Sequence, residues 1–178
     1  GGGQFGDQGW IDGIKVTDTH EKNGVIYHET EAPIAVGTEV KGELDYKERF
    51  SRMQQHTGEH MLSGIIYRLY GYDNVGFHLG AAETTMDFNG ELTSEQMREV
   101  ETLANQAVWD NIPVEILYPT KEELASMDYR SKIEIEGQVR IVRIGDVDMC
   151  ACCAPHVDFT GEIGLIKLVG MQRYKGGV

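Results

Sequence analysis

Between Lys47 and Tyr70, Phe50, Met53, Thr57, Met61, Ile65 and Leu69 recur every three or four positions, the period of one face of an α-helix. No proline interrupts the stretch, and Gly71 supplies a stop. A second helical stripe, Met97, Val100, Leu103, Ala104, Ala107 and Val108, comes after Thr93, which has Gln96 three residues on as in a capping box. Pro113 closes that helix. The rest reads as short strands and turns. Ile14–Val16, Gly24–His28 and the run from Thr38 to Leu44 are β-rich and are separated by Asn23-Gly24 and Ala32-Pro33. Residues 75–88 read as a hairpin turning near Gly80, Val114–Tyr118 as a strand and Lys121–Met127 as a short helix. Residues 133–141 alternate around Gly137 as a second hairpin, and Ile163–Val169 reads as a last apolar strand.

The expected class is α+β: a small β module with a glycine-rich opening at residues 1–46, packed on a domain at residues 47–178 in which two long helices lie against antiparallel sheet. A β module of that size is marginal alone, so it is expected to dock on the larger domain.

Composition narrows the function classes. The chain has 178 residues with 16 Lys plus Arg and 29 Asp plus Glu, a net charge of −13. No apolar run approaches the ~20 residues of a membrane-spanning helix, so no membrane partner is expected. Acidity repels phosphate and, taken alone, argues against a nucleic-acid partner. The opening GGGQFGDQG reads on composition as a linker. Cys150, Cys152 and Cys153 form an odd, clustered set, a poor disulfide framework. A reducing, cytoplasmic compartment is expected, and the cluster reads as metal-binding or reactive.

His56 and His60 stand at i and i+4 in H-T-G-E-H, so both imidazoles project from one helix face with Cβ atoms about 5–6 Å apart. Nitrogens so placed can share one ion at about 2.0–2.1 Å each. The competing reading is a buried or solvated histidine pair. Cys152-Cys153-Ala154-Pro155-His156 sets a thiol and an imidazole four positions apart in what reads as a loop between two strands. Asp146 and Asp148 precede it and offer carboxylates to orient a ligand. Three nitrogens and a sulfur suit zinc rather than magnesium or calcium, which prefer oxygen. Spacing leaves open which of the three cysteines binds. Glu59 is the nearest carboxylate and a candidate base, although about 100° around the helix from His60; a solvated helix face is the alternative. H-T-G-E-H also fits the inverted zinc-peptidase string, with Glu59 as base and Glu134 or Glu136 as third ligand, but that reading leaves CCAPH idle.

Taken together, these residues resemble the editing domain of alanyl-tRNA synthetase and its freestanding relatives, the AlaX-type alanyl-tRNA editing proteins. GGGQFGDQGWI is similar to the family's glycine-rich opening, DYKERFSRMQQHTGEHMLSG to its HxxxH helix, and DMCACCAPHVDFTGEIG to its Cys-x₃-His loop. The resemblance implies zinc held by His56, His60, Cys152 and His156, and so selects Cys152 among the thiols. The usual CGGTH is CCAPH here, departing at Cys153, Ala154 and Pro155. It further implies a hydrolase that cleaves serine or glycine from mischarged alanine tRNA, with Gly76, Phe77 and His78 lining the substrate pocket and Gly2, Gly3 and Gln4 near the tRNA acceptor end.

Three neighbouring readings are an editing domain cut from a full alanyl-tRNA synthetase, a non-catalytic tRNA-binding module with a structural zinc, and the editing domain of threonyl-tRNA synthetase. The glycine-rich opening and TGEIG favour the alanine system. Basic residues gather locally, as Lys47, Arg49 and Arg52 before the HxxxH motif and as Lys167, Arg173 and Lys175 near the end. Longer relatives continue into a further C-terminal domain. The expectation is that this acidic chain alone binds tRNA weakly, with a steep salt dependence.

Overall fold

The long predicted helix runs from Tyr46 to Tyr70 (α1) in the computed structural model, which describes residues 4–80, 83–131 and 137–173. Asp45 caps its start by accepting from the Glu48 N–H, and Gly71 ends it at φ 70°, a left-handed conformation in which glycine pays no Cβ penalty. Every residue from His56 to Ile66 is buried. This stretch has no solvent face, so polar side chains within it must find partners inside the protein. The second helix, α2 (Ser94–Trp109), opens on the expected capping box between Thr93 and Gln96. Its Val100, Ala104, Ala107 and Val108 pack with Met61, Leu62, Ile65 and Ile66 of α1 to form the core. Leu103, part of the predicted stripe, is 37 % exposed and lies outside it.

Antiparallel pairing accounts for all named strand ladders among the described residues, but it is divided among three small sheets. In the first, β1 (Gly9–Ile11), β2 (Ile14–Lys22), β3 (Val25–Thr30) and β4 (Gly42–Leu44) are ordered β3-β2-β1-β4. The run predicted from Thr38 is a strand only over Gly42–Leu44. β5 (Asn74–Leu79) and β6 (Thr84–Phe88) make the predicted hairpin. The third sheet orders β7 (Val114–Leu117), β8 (Ile141–Ile144) and β9 (Asp148–Ala151), with the short helix α3 (Lys121–Leu124) after β7. Val142 and Ile144 of β8 join the core beneath the helices. The first sheet is tied to α1 by the Asp45 N–H to Gln8 carbonyl bond at 2.9 Å, by Arg52 donating to the Gly6 carbonyl at 2.7 Å and by an Arg49–Asp7 ion pair at 3.4 Å.

One expectation falls outside the described residues and another changes. Residues 132–136, the first arm of the hairpin expected around Gly137, lie outside the described residues, as do Glu134 and Glu136. The apolar run at Ile163–Val169 is not a strand: Thr160–Ile163 is a 3₁₀ turn and the chain beyond it is irregular. The reason is a rival set of backbone partners. Asn105 accepts from the Ile166 N–H at 2.9 Å and donates to its carbonyl at 2.8 Å, while Glu101 accepts from the Leu168 N–H at 2.6 Å. Side chains of α2 thus satisfy the backbone that a neighbouring strand would otherwise have paired. For the same reason the Cys-x₃-His loop joins β9 to a 3₁₀ turn rather than to a strand.

Candidate metal centre

α1 presents His56 and His60 one turn apart, and the chain leaving β9 carries Cys152 and His156 across to them. One ligand atom from each of the four lies within 4.8 Å of all the others. Ring centroids are 5.1 Å apart for His56 and His60 and 4.6 Å for His156 with each of the two. The Cys152 Sγ is 3.8 Å from Nε2 of His56.

All three imidazoles have an identifiable partner at Nδ1. In His60, Nδ1 donates to Asp148 Oδ2 at 3.1 Å. In His156 it meets Thr57 Oγ1 at 3.1 Å. The Thr57 hydroxyl spends its own hydrogen on the Met53 carbonyl at 2.8 Å and also accepts from the Val157 N–H, so the hydrogen shared with His156 must come from the ring. In His56, Nδ1 lies 3.5 Å from the Gln4 amide oxygen. Nε2 of His156 is then left buried with no hydrogen-bond partner among the described residues. A buried nitrogen lone pair of this kind, facing two more imidazoles and a sulfur, fits a metal ligand.

The electrostatics agree. Burial works against a charged Cys152, but the surrounding imidazoles of His156, His56 and His60 and the charge of His60 outweigh it and hold the thiol down at about 3. Burial, with the neighbouring imidazoles, pushes His156 down to about 4, a neutral ring at physiological pH. Burial also acts to lower His60, yet hydrogen bonds with Asp148 and Cys152 and the nearby carboxylates lift it to about 9. Asp148 is itself gripped in a bidentate pair by Arg130, Nε to Oδ1 at 2.8 Å and Nη2 to Oδ2 at 2.9 Å. His60, Asp148 and Arg130 therefore form one chain of charge-assisted bonds, buried at His60 and Asp148 and partly exposed at Arg130.

The three cysteines separate cleanly. Cys152 faces the histidines, Cys153 is exposed, and Cys150 is buried, with burial raising its thiol to about 12. In the metal-loaded protein one thiol, Cys153, is expected to react rapidly with an alkylating reagent at neutral pH. Chelation should expose the Cys152 thiolate as a second equivalent, with Cys150 reacting only on unfolding. Mass mapping of the labelled positions checks this; labelling of Cys150 before Cys152 would refute it.

Other expected site residues divide. Phe77 stacks on His56, centroids 5.1 Å apart at 22°. His78 points outward and pairs with Asp87 at 3.0 Å, and Gly76 lies against that same Asp87. Gln4 reaches His56, whereas Gly2 and Gly3 lie outside the described residues. Glu59 is not on a solvated face: it is 3 % exposed, with Oε2 at 3.9 Å from His56 Nε2 and 3.8 Å from His60 Nε2. Of the basic residues, Arg52 pairs with Glu48, Lys167 with Glu101 and Arg173 with Glu91, while Lys175 lies outside the described residues. CCAPH brings Cys152 and His156 into the cluster, which counts against the peptidase reading, since that reading gives the loop no role. Sequence reasoning missed Thr57, Ser63, Asn74 and Arg130. Thr57 alone carried a signal, as a hydroxyl inside an apolar helical stripe.

Antiparallel sheet set against two helices, with an HxxxH pair and a Cys-x₃-His loop converging, is the arrangement expected from the resemblance to the editing domains of the threonyl and alanyl synthetases. Residues 139–178 match the threonyl and alanyl tRNA synthetase second additional domain. More narrowly, the chain is similar to alanyl-tRNA editing proteins of the AlaX type and to alanyl-tRNA synthetase. It is 38 % identical to alanyl-tRNA editing protein AlaX-L of Pyrococcus horikoshii over 95 % of this chain and 44 % of that protein. It is 31 % identical to alanyl-tRNA editing protein Aarsd1-A of Xenopus laevis over 98 % of this chain and 43 % of that one. The alanine–tRNA ligase of Metallosphaera sedula is 34 % identical over all of this chain and 21 % of the ligase. The chain thus spans less than half the length of these relatives.

Proposed function

We propose that this chain hydrolyses the ester joining serine or glycine to alanine tRNA, with zinc held by His56, His60, Cys152 and His156. One observation carries the reading beyond kinship: two separate segments of the chain bring three imidazoles and a depressed thiol to one buried point, where the His156 Nε2 has no hydrogen-bond partner among the described residues. A nitrogen–sulfur donor set favours zinc among common biological cations. When bound, the ion supplies Lewis acidity towards the ester carbonyl or an anchor for the substrate's amino group.

The chain's own residues do the rest. Asp148, Thr57 and Gln4 fix the three ring orientations. The Phe77 ring, stacked on His56, gives the site an apolar wall that excludes bulk water. Glu59, with Oε2 beside two of the ligating nitrogens, is the carboxylate placed to accept the proton that an attacking water gives up.

Release of serine, glycine and alanine from charged alanine tRNA by the metal-loaded protein tests this. The mischarged esters are expected to be cleaved in preference to alanine. Glu59→Gln should slow cleavage about 10²–10⁴-fold at unchanged metal content. No cleavage by fully loaded protein would instead support a tRNA-binding module with a structural ion.

A further inference from the structure

We propose that Ser63 and Asn74 form a bracket that holds the Glu59 carboxylate beside the metal centre and off the ion. The inference rests on the metal reading above and concerns a carboxylate that lies next to the ligands without being one of them.

Glu59 and Ser63 are one turn apart on α1, and Asn74 comes from the start of β5. The Ser63 hydroxyl donates to Glu59 Oε1 at 2.9 Å. Asn74 Nδ2 donates to the same oxygen at 2.9 Å and to Ser63 Oγ at 2.9 Å. The three bonds close a ring. They spend the serine hydrogen on the carboxylate and fix the Asn74 amide with its NH₂ group inward. None of the three residues is open to water, at 3, 0 and 6 % exposure for Glu59, Ser63 and Asn74. The amide keeps this orientation although its Oδ1 is left buried without a hydrogen-bond partner among the described residues. Buried acceptors are rarely left so, which marks the inward-facing bonds as the ones the packing favours.

The consequence falls on the other carboxylate oxygen. At 3.8 and 3.9 Å from the Nε2 atoms of His60 and His56, Oε2 is within a small side-chain rotation of any ion those nitrogens share. Carboxylate oxygens also serve as zinc ligands, at about 2.0–2.2 Å. An unheld carboxylate here would become a further ligand and fill the position a substrate needs. With Oε1 tied by two donors, Glu59 stays a neighbour. Ser63 and Asn74 are therefore positioning residues that act through Glu59.

Cobalt(II) put in place of zinc reads this directly, because its d–d absorption weakens and shifts when a four-coordinate site gains a ligand. Wild-type protein is expected to show the intense four-coordinate bands. The Ser63→Ala/Asn74→Ala double variant should lose much of that intensity, and adding Glu59→Gln should restore it. Ser63→Ala alone, a mild change in a helix, should move the spectrum part-way in the same direction, and it carries the test if the double variant does not fold. In serine deacylation the bracket variants should lower kcat/KM, because the released carboxylate competes with substrate for the ion. In the Glu59→Gln background they should lower it no further, the non-additivity expected of residues acting through a shared group. Wild-type cobalt bands in every folded bracket variant would overturn the proposal. A wild-type protein that takes up no cobalt would instead overturn the metal reading itself, and the bracket with it.

Discussion

Cys152→Ala is expected to abolish metal binding and, with it, the metal-dependent part of the protein's stability. The sulfur is the only anionic donor of the four-residue cluster, and its removal leaves three imidazoles, none of which carries negative charge to offset a divalent ion. A ligand that binds only the folded state adds about 4 kcal/mol at a thousandfold excess over its Kd. For a domain of this size that corresponds to a melting shift of roughly 10 °C. Wild type should show that shift on zinc titration and the variant none.

Protons give a second, independent readout. His60 is held protonated to about 9 in the metal-free protein, whereas Cys152 is already a thiolate. Metal binding at pH 7 should therefore expel about one proton, and it comes from the imidazole rather than from the thiol. Calorimetry in buffers of different ionisation enthalpy measures this. The same two groups set the pH dependence of stability in the metal-free protein. The raised His60 contributes stability that is complete below its usual 6.5 and fades as pH rises towards 9. The depressed Cys152, normally near 9, contributes stability that grows with pH across that same window. The opposing slopes should leave metal-free wild type nearly level between pH 6.5 and 9, while Cys152→Ala declines. A variant that still binds zinc stoichiometrically would refute the ligand assignment.

Much of this centre is legible in the sequence because its key spacings are local. The i, i+4 histidines and the Cys-x₃-His pair each come from the geometry of one short segment, and the capping box at Thr93 marks the start of α2 to the residue. What fails to show is whatever depends on a distant partner. Arg130 lies 18 positions before Asp148 in irregular chain, and only the folded backbone brings the two together. The helical wheel places Glu59 off the histidine face and hence in water, a sound inference for a helix with one wet side. α1 is buried on every side from His56 to Ile66, so turning away from the histidines does not reach solvent. The apolar run after Ile163 does pack inward: Ile166 is in the core, but Asn105 and Glu101 claim its neighbouring backbone. Alternation in a sequence reports burial; it does not name the hydrogen-bond partner.

Gly64→Ala should be among the most damaging single-methyl changes in the protein, although alanine is the better helix former. A Cβ at position 64 would land on the Val147 carbonyl oxygen and lie 2.7 Å from the Asp148 Cβ and 2.8 Å from its Oδ1. These atoms have little room to retreat. Asp148 begins β9 opposite Ile144 of β8, and its carboxylate is gripped by Arg130 and by His60. Glycine at 64 is what lets β9 approach α1 closely enough for Asp148 to hold a ring one turn earlier on the helix. Helix propensity favours alanine by about 0.5–1 kcal/mol. Overpacking costs about 1–3 kcal/mol, and loss of a carboxylate that orients a metal-bound imidazole weakens metal binding about 10–100-fold. The clash wins, and stability and zinc affinity should fall together. Gly58→Ala, in the same helix between the two histidines, isolates the propensity effect, since its Cβ would meet Ile166 at an ordinary 3.7 Å. Denaturant midpoints should therefore move in opposite directions, up for Gly58→Ala and down for Gly64→Ala. Two glycines that respond alike would mean that this contact between helix and strand does not control the metal centre.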